Sequence, residues 1–180
     1  MKNLLRASLF LGVTLTTALA AAKFVQTGGG SATFAAKGPG GLKIEGKTGD
    51  VKASEADGKV SVTVNLASLK TGIDLRDEHM RKALETDKCP TSTLVVERSK
   101  LTVPAEGEEK SGSADGQLTL HCQTKPVKVS YTAKTAGGIR SVNGSTSINM
   151  KDFGIEPPTY SGVGVKPEVA VNVSFLVKDE

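Results

Sequence analysis

From Glu168 to Lys178 the chain alternates without a break, with Val169, Val171, Val173, Phe175 and Val177 all on one side. Lys59–Leu66 does the same: Val60, Val62, Val64 and Leu66 fall on one face, Lys59, Ser61, Thr63 and Asn65 on the other. Successive side chains of an extended strand point to opposite faces, so this period of two predicts half-buried antiparallel strands. The pattern recurs. Val127, Val129, Tyr131 and Ala133 form one row, and Leu118, Leu120 and Cys122 a shorter one. Val142, Ile148 and Met150 form a weaker row, and Ser31–Lys37, Gly41–Gly46 and Leu94–Ser99 add three more strands. Turn chemistry separates them at Gly38–Gly41, Ala56–Gly58, Gly107–Gly112 and Gly137-Gly138. Gly28-Gly29-Gly30 precedes a strand and reads as a turn. Leu75–Leu84 departs from the pattern and predicts one short helix, with Asp74 as its N-cap. Asp152–Pro167, with Pro157 and Pro158, reads as a loop. About eight strands, one helix and no parallel crossover predict a closed antiparallel barrel or a sandwich.

A chain of 180 residues is one domain. Its aromatic content is only 4%, with no Trp, and its net charge is a mild +4. Without a run of Lys or Arg, and with few rings to stack on bases, a nucleic-acid partner is disfavoured. No apolar stretch reaches the roughly 20 residues of a spanning helix.

Lys2 and Arg6 precede an uncharged stretch from Ala7 to Ala22 containing Leu9, Phe10, Leu11, Val13, Leu15 and Leu19. Small residues then follow at Ala18–Ala22. That order predicts a signal peptide over residues 1–22, a mature domain over 23–180, and a periplasmic or secreted product.

The chemical groups argue against an enzyme and against a bound metal. The only histidines are His79 and His121, and no nucleophile elbow, P-loop or dinucleotide fingerprint occurs. His121 and Cys122 are expected as neighbours on a strand, facing opposite ways. A metal site built from Cys89, Cys122, His79 and His121 would therefore need both faces at once. Cys89 and Cys122 are the sole cysteines, and in an oxidising compartment they are expected to pair as a disulfide. The alternative is two buried thiols.

Three segments bring a family into view. Leu69-Lys70-Thr71-Gly72-Ile73-Asp74-Leu75-Arg76-Asp77-Glu78-His79-Met80 resembles the Thr, then Arg-Asp-x-His, segment of the YceI-like, polyisoprenoid-binding, lipocalin-like proteins. Gly116–Val127 is similar to the same family's Gly-x-Leu-Thr, His-Gly, Thr-Lys-x-Val strand, and Asp152-Phe153-Gly154-Ile155 to its Asp-Phe-Gly-Ile turn. Two departures stand out. Ala83-Leu84-Glu85-Thr86 replaces a Phe-Phe-Asp, and Met150 stands where many members place Arg.

The resemblance implies a lipocalin-like antiparallel β-barrel of about eight strands holding a long isoprenoid, polyprenyl or quinone-like, with no other cofactor. It further implies Thr71, Arg76, Asp77 and His79 at the mouth, and Phe153 near the other rim. The residues alone leave open whether the interior holds a ligand or is a packed core. The competing expectation is a structural or stress-related secreted barrel that binds a protein or nothing specific. The oligomeric state stays open, a homodimer included.

Overall fold

The structure, a computed structural model, describes residues 23–160 and 163–180. The predicted signal segment, 1–22, lies outside the described residues. In chain order the strands are β1 Phe24–Gln26, β2 Ser31–Lys37, β3 Lys43–Thr48, β4 Val51–Ala56 and β5 Lys59–Asn65. Helix α1 (Asp74–Ala83) follows, then β6 Thr91–Glu97, β7 Glu109–Leu120, β8 Gln123–Ala136 and β9 Ile139–Asn149. A small hairpin, β10 Thr159–Tyr160 with β11 Val163–Gly164, precedes β12 Glu168–Asp179.

Neighbouring strands pair antiparallel in the order β1-β4-β5-β6-β7-β8-β9-β12, and β12 returns to β1, which closes the barrel. β2 and β3 extend two of the eight staves. β12 carries β9 along one edge and, along the other, β2 (Val171 opposite Phe34) followed by β1 (Lys178 opposite Val25). The stave β1–β2 is thus one strand broken at 27–30, and β3–β4 is one broken at Gly49-Asp50. The glycine run makes the first break possible: a Cβ on Gly30 would stand 2.8 Å from Cβ of Val51.

β1 and β4 are not evident in the sequence. The inward row of β4 is Val51, Ala53 and Glu55, and it offers too little apolar contrast to register as alternation. The predicted helix is present, shifted by one residue, with Ile73 in the cap position and Asp74 inside the first turn. The expected loop after Asp152 contains a 3-10 turn, Met150–Phe153, and the β10–β11 hairpin.

His121 and Cys122 correct the expected strand. β7 stops at Leu120, which pairs with Gln123, and both intervening residues have left-handed φ, 51° and 56°. Two positive φ values at the centre of a two-residue hairpin are the type I′ geometry that matches strand twist. The turn is held from outside. His121 Nδ1 donates to the Phe153 carbonyl at 3.0 Å, and Cys122 is bonded to Cys89, with Cα atoms 5.6 Å apart. The β6–β7 register pairs Thr93 with Thr119, and continuing it past Thr91 brings Cys89 beside this turn.

The interior falls into two halves. At one end Leu66, Leu69, Leu120, Phe153 and Ile155 form a plug, with Met80 of α1 and Leu84 at its C-cap packed against it. Toward the other end smaller clusters line the wall: Phe24, Ala53, Val60, Phe175 and Val177, then Val96, Ala114 and Val129.

The disulfide closes a loop of 33 residues, which the chain-entropy account values at about 3–4 kcal/mol. Reduction, or Cys122→Ala, is expected to lower the thermal midpoint by several degrees. Intact mass after alkylation of the protein purified without reductant should show no modified thiol. Two alkylated cysteines there would mean that the bond does not form.

Candidate functional site

Between the plug and the far end the barrel holds a partly open apolar cavity of about 140 Å³. Its walls are the inward rows of β5 (Val60, Val62), β6 (Leu94, Val96), β8 (Val129, Tyr131, Ala133), β9 (Val142, Gly144) and β12 (Val171, Val173, Phe175, Val177). A cavity of about 150 Å³ with an aliphatic lining stays dry and accepts benzene, so this one matches roughly one five-carbon prenyl unit. Gly144 is the open point of the wall, since a Cβ there would meet nothing within 4 Å. A groove outside the barrel, along Thr33, Asn172 and Ser145, is larger but mostly polar and open to solvent, so it offers less apolar burial.

A lid crosses the cavity's outer end. Leu101, Thr102 and Val103 line it between the 3-10 turn Arg98–Lys100 and β7. Bonds to β8 latch this segment: the Thr102 amide donates to Tyr131 Oη at 2.8 Å, and Thr135 Oγ1 donates to the Pro104 carbonyl at 3.0 Å, while Leu101 is bonded to Arg98.

Two arginines reach the same end. Arg98 Nε lies 3.5 Å from Oε2 of Glu55, a buried carboxylate that also accepts the Phe24 amide. Arg140 grips Asp179 with both terminal nitrogens, at 3.2 and 3.1 Å. Neither arginine stood out in the sequence. The signal was parity: Arg140 shares the inward row of Val142, but a cation in an inward row looks like a surface position until closure fixes the register.

The residues expected at the mouth sit at the plugged end, and none of Thr71, Arg76, Asp77, His79 or Phe153 lines the cavity. Three of them close on one another. Asp77 Oδ1 accepts the amide and the hydroxyl of Thr71 at 2.7 and 2.5 Å. Arg76 donates from Nε to Thr71 Oγ1 and from Nη2 to the Thr71 carbonyl, both at 2.9 Å. This clasp ties the first turn of α1 to the preceding loop, and backbone bonds between Lys47 and Lys70 tie that loop to β3. His79 is exposed on α1. Phe153 is not at an opposite rim: it is 2% exposed, inside the plug that α1 itself covers. Both cysteine sulfurs are used in the disulfide, and among the described residues no His, Cys, Asp and Glu cluster has metal-holding geometry.

The Thr71 hydroxyl holds the Asp77 carboxyl below its ordinary 3.8, assisted by the Thr71 amide and Lys70, against the opposing effect of burial. A depressed folded-state value means that the unfolded chain binds the proton first. The clasp's contribution is therefore complete above the carboxylate range and lost as pH falls through the lowered value. Asp77→Asn should lower the midpoint at pH 7 and flatten the acid limb of stability below about pH 4. An unchanged acid limb in thermal melts would show that Asp77 does not contribute to it.

A closed eight-stave barrel, plugged at one end and hollow at the other, is the architecture of the small lipocalin-like barrels. Within that class the chain belongs to the YceI-like domain family, whose model matches residues 16–177. Among curated relatives, a UPF0312 protein of Pseudomonas aeruginosa is 38% identical over 119 residues, 61% of this chain and 58% of its own length. One from Pseudomonas savastanoi is 34% identical over 108 residues, 56% and 54% of the two chains. The chain thus spans little more than half the length of these relatives. Among solved structures, a polyisoprenoid binding domain from Saccharophagus degradans implicated in plant cell wall breakdown superposes with a TM-score of 0.74 at 17% identity. It covers 88% of this chain and 98% of that one. BcnA of Burkholderia cenocepacia gives 0.66 at 18% identity, covering 82% and 95%. At these identities the likeness is one of fold.

Proposed function

We propose that this protein is an exported carrier that buries an apolar, prenyl-type lipid in the barrel interior. The observation that carries the reading is the apolar cavity bordered by the Leu101–Val103 segment, in a fold that could have packed its interior solid. Its ionisable lining groups are Arg98, Tyr131 and Arg140, a set suited to holding a head group. The Saccharophagus degradans domain, of the same fold and described as polyisoprenoid binding, supports the choice of a prenyl chain. The charged start and apolar run of residues 1–22 support export.

Burial of a five-carbon unit is worth roughly 3–4 kcal/mol before the costs of association. The cavity as it stands takes about one such unit. A longer chain requires the Leu101–Val103 segment to lift, which breaks the Thr102–Tyr131 and Thr135–Pro104 bonds and withdraws Leu101 from the wall clusters it packs against.

The test is organic extraction of the purified protein followed by mass spectrometry, comparing wild type with Gly144→Phe. The substitution places a ring in open cavity space, so the fold and midpoint should hold while extracted prenyl lipid falls about tenfold. A wild-type protein that yields no lipid and takes up no added prenyl compound would sink the proposal in favour of a structural barrel.

A further inference from the structure

Arg140 is an unusual occupant of an inward row. Its cross-strand neighbours are Val177 on β12 and Thr135 on β8, both buried, and Arg140 itself is only 8% exposed. Each of its two terminal nitrogens donates one bond to Asp179. Its Nε is buried and has no hydrogen-bond partner among the described residues, and the side chain lines the apolar cavity. A buried donor on a charged group, left unpaired, costs more than the net worth of an ordinary hydrogen bond, so it is a place where an acceptor adds stability.

Charge decides which acceptor. Arg140 is already balanced by Asp179, and Arg98 by Glu55. An anionic head group would bring one uncompensated negative charge into an aliphatic mouth, which is costly. An uncharged oxygen meets the free N–H with no other pair disturbed.

We infer that Arg140 is the head-group anchor of the cavity, its Nε–H donating to an uncharged oxygen acceptor, of the ketone or quinone carbonyl class, at the end of the bound chain. The inference rests on the reading of the cavity as a lipid site and adds an orientation: tail toward the Leu66–Phe153 plug, oxygen toward Arg140. Arg140 thereby becomes the residue that selects oxygenated chains over hydrocarbons.

Three probes test it on the delipidated full chain by equilibrium dialysis: geranylacetone, the chain-matched hydrocarbon without the carbonyl, and geranyl monophosphate. Wild type should bind the ketone about tenfold more tightly than the hydrocarbon, the worth of one hydrogen bond to a charged donor, and no less tightly than the phosphate. Arg140→Lys keeps a cation for Asp179 but puts a methylene where Nε–H stood, so the ketone-to-hydrocarbon ratio should fall to about one. Arg140→Met should do the same. Addition of the ketone, and not of the hydrocarbon, should move the Arg140 Nε–H resonance in a ¹⁵N spectrum.

Equal wild-type affinity for ketone and hydrocarbon overturns the inference while leaving the lipid site standing. So does a preference that survives in Arg140→Lys, or clearly tighter binding of the phosphate. If wild type binds neither the ketone nor the hydrocarbon, the lipid site itself fails and this inference falls with it. The wild-type comparison needs no variant, so a misfolded Arg140→Met does not blunt the test.

Discussion

The rest of the structure depends on the pairing of β12 along both of its edges. One edge meets β9 from Glu168 to Lys178, and the other meets β2 and then β1. That double pairing removes the free edges of the sheet and turns a two-faced surface into a wall with an inside. It also fixes parity. A slip of one residue would bring Asn172 and Ser174 inside in place of Val171 and Val173, so the apolar row and the closed ladder enforce each other. The broken stave makes the arrangement possible: 27–30 lets the chain bend away from β12 after β1 and rejoin it as β2.

Once the wall is closed, the distribution of side-chain volume decides what the inside can hold. The plug takes large groups, Phe153 and Ile155 at 2% and 1% exposure, with Leu66, Leu69, Leu120 and the ring of Phe34. Gly46 shows how tightly the Phe34 ring is seated, since a Cβ there would lie 2.2 Å from it. The other half receives valine, alanine and glycine, with Phe24 and Phe175 as its phenylalanines. Packed interiors leave few voids larger than a water molecule. A cavity of about 140 Å³ in a domain this small is therefore a consequence of composition: a chain without tryptophan that spends two of its phenylalanines on the plug cannot fill the remainder.

The sequence made the strands legible wherever the inward row was strongly apolar, as in β5, β8 and β12, and it made α1 legible within one residue. It hid β1, which is only three residues long, and β4, where Ala53 and Glu55 occupy inward positions. It also hid the hairpin at His121-Cys122, because type I′ turns are ordinarily signalled by Asn and Gly. Here His121 and Cys122 take left-handed φ, tied down by a disulfide and a hydrogen bond from elsewhere in the chain. The family motifs pointed to real clusters at true positions in the fold, but a motif does not say which end of a barrel it occupies. The arginines at the hollow end could not be read from local pattern, because their inward placement depends on closure between residues far apart in sequence.

The two arginine–carboxylate clusters differ in a way that bears directly on function. At the plugged end Arg76, Thr71 and Asp77 use their strongest donors and acceptors on one another and on the loop backbone, and Lys70 adds a weak charge contact at 3.9 Å. Such a closed set stabilises a local structure and has little left to offer a ligand. At the hollow end Arg140 is balanced in charge by the half-exposed Asp179, yet its buried Nε–H has no partner among the described residues and lies against an aliphatic wall. Residue types are nearly the same in both places. What separates a clasp from a binding position is whether any polar valence is left facing apolar space, and that depends on side-chain geometry rather than on sequence. By this criterion the family's most recognisable segment holds the barrel's plugged end together, while the hollow end keeps an unpartnered donor beside its apolar cavity.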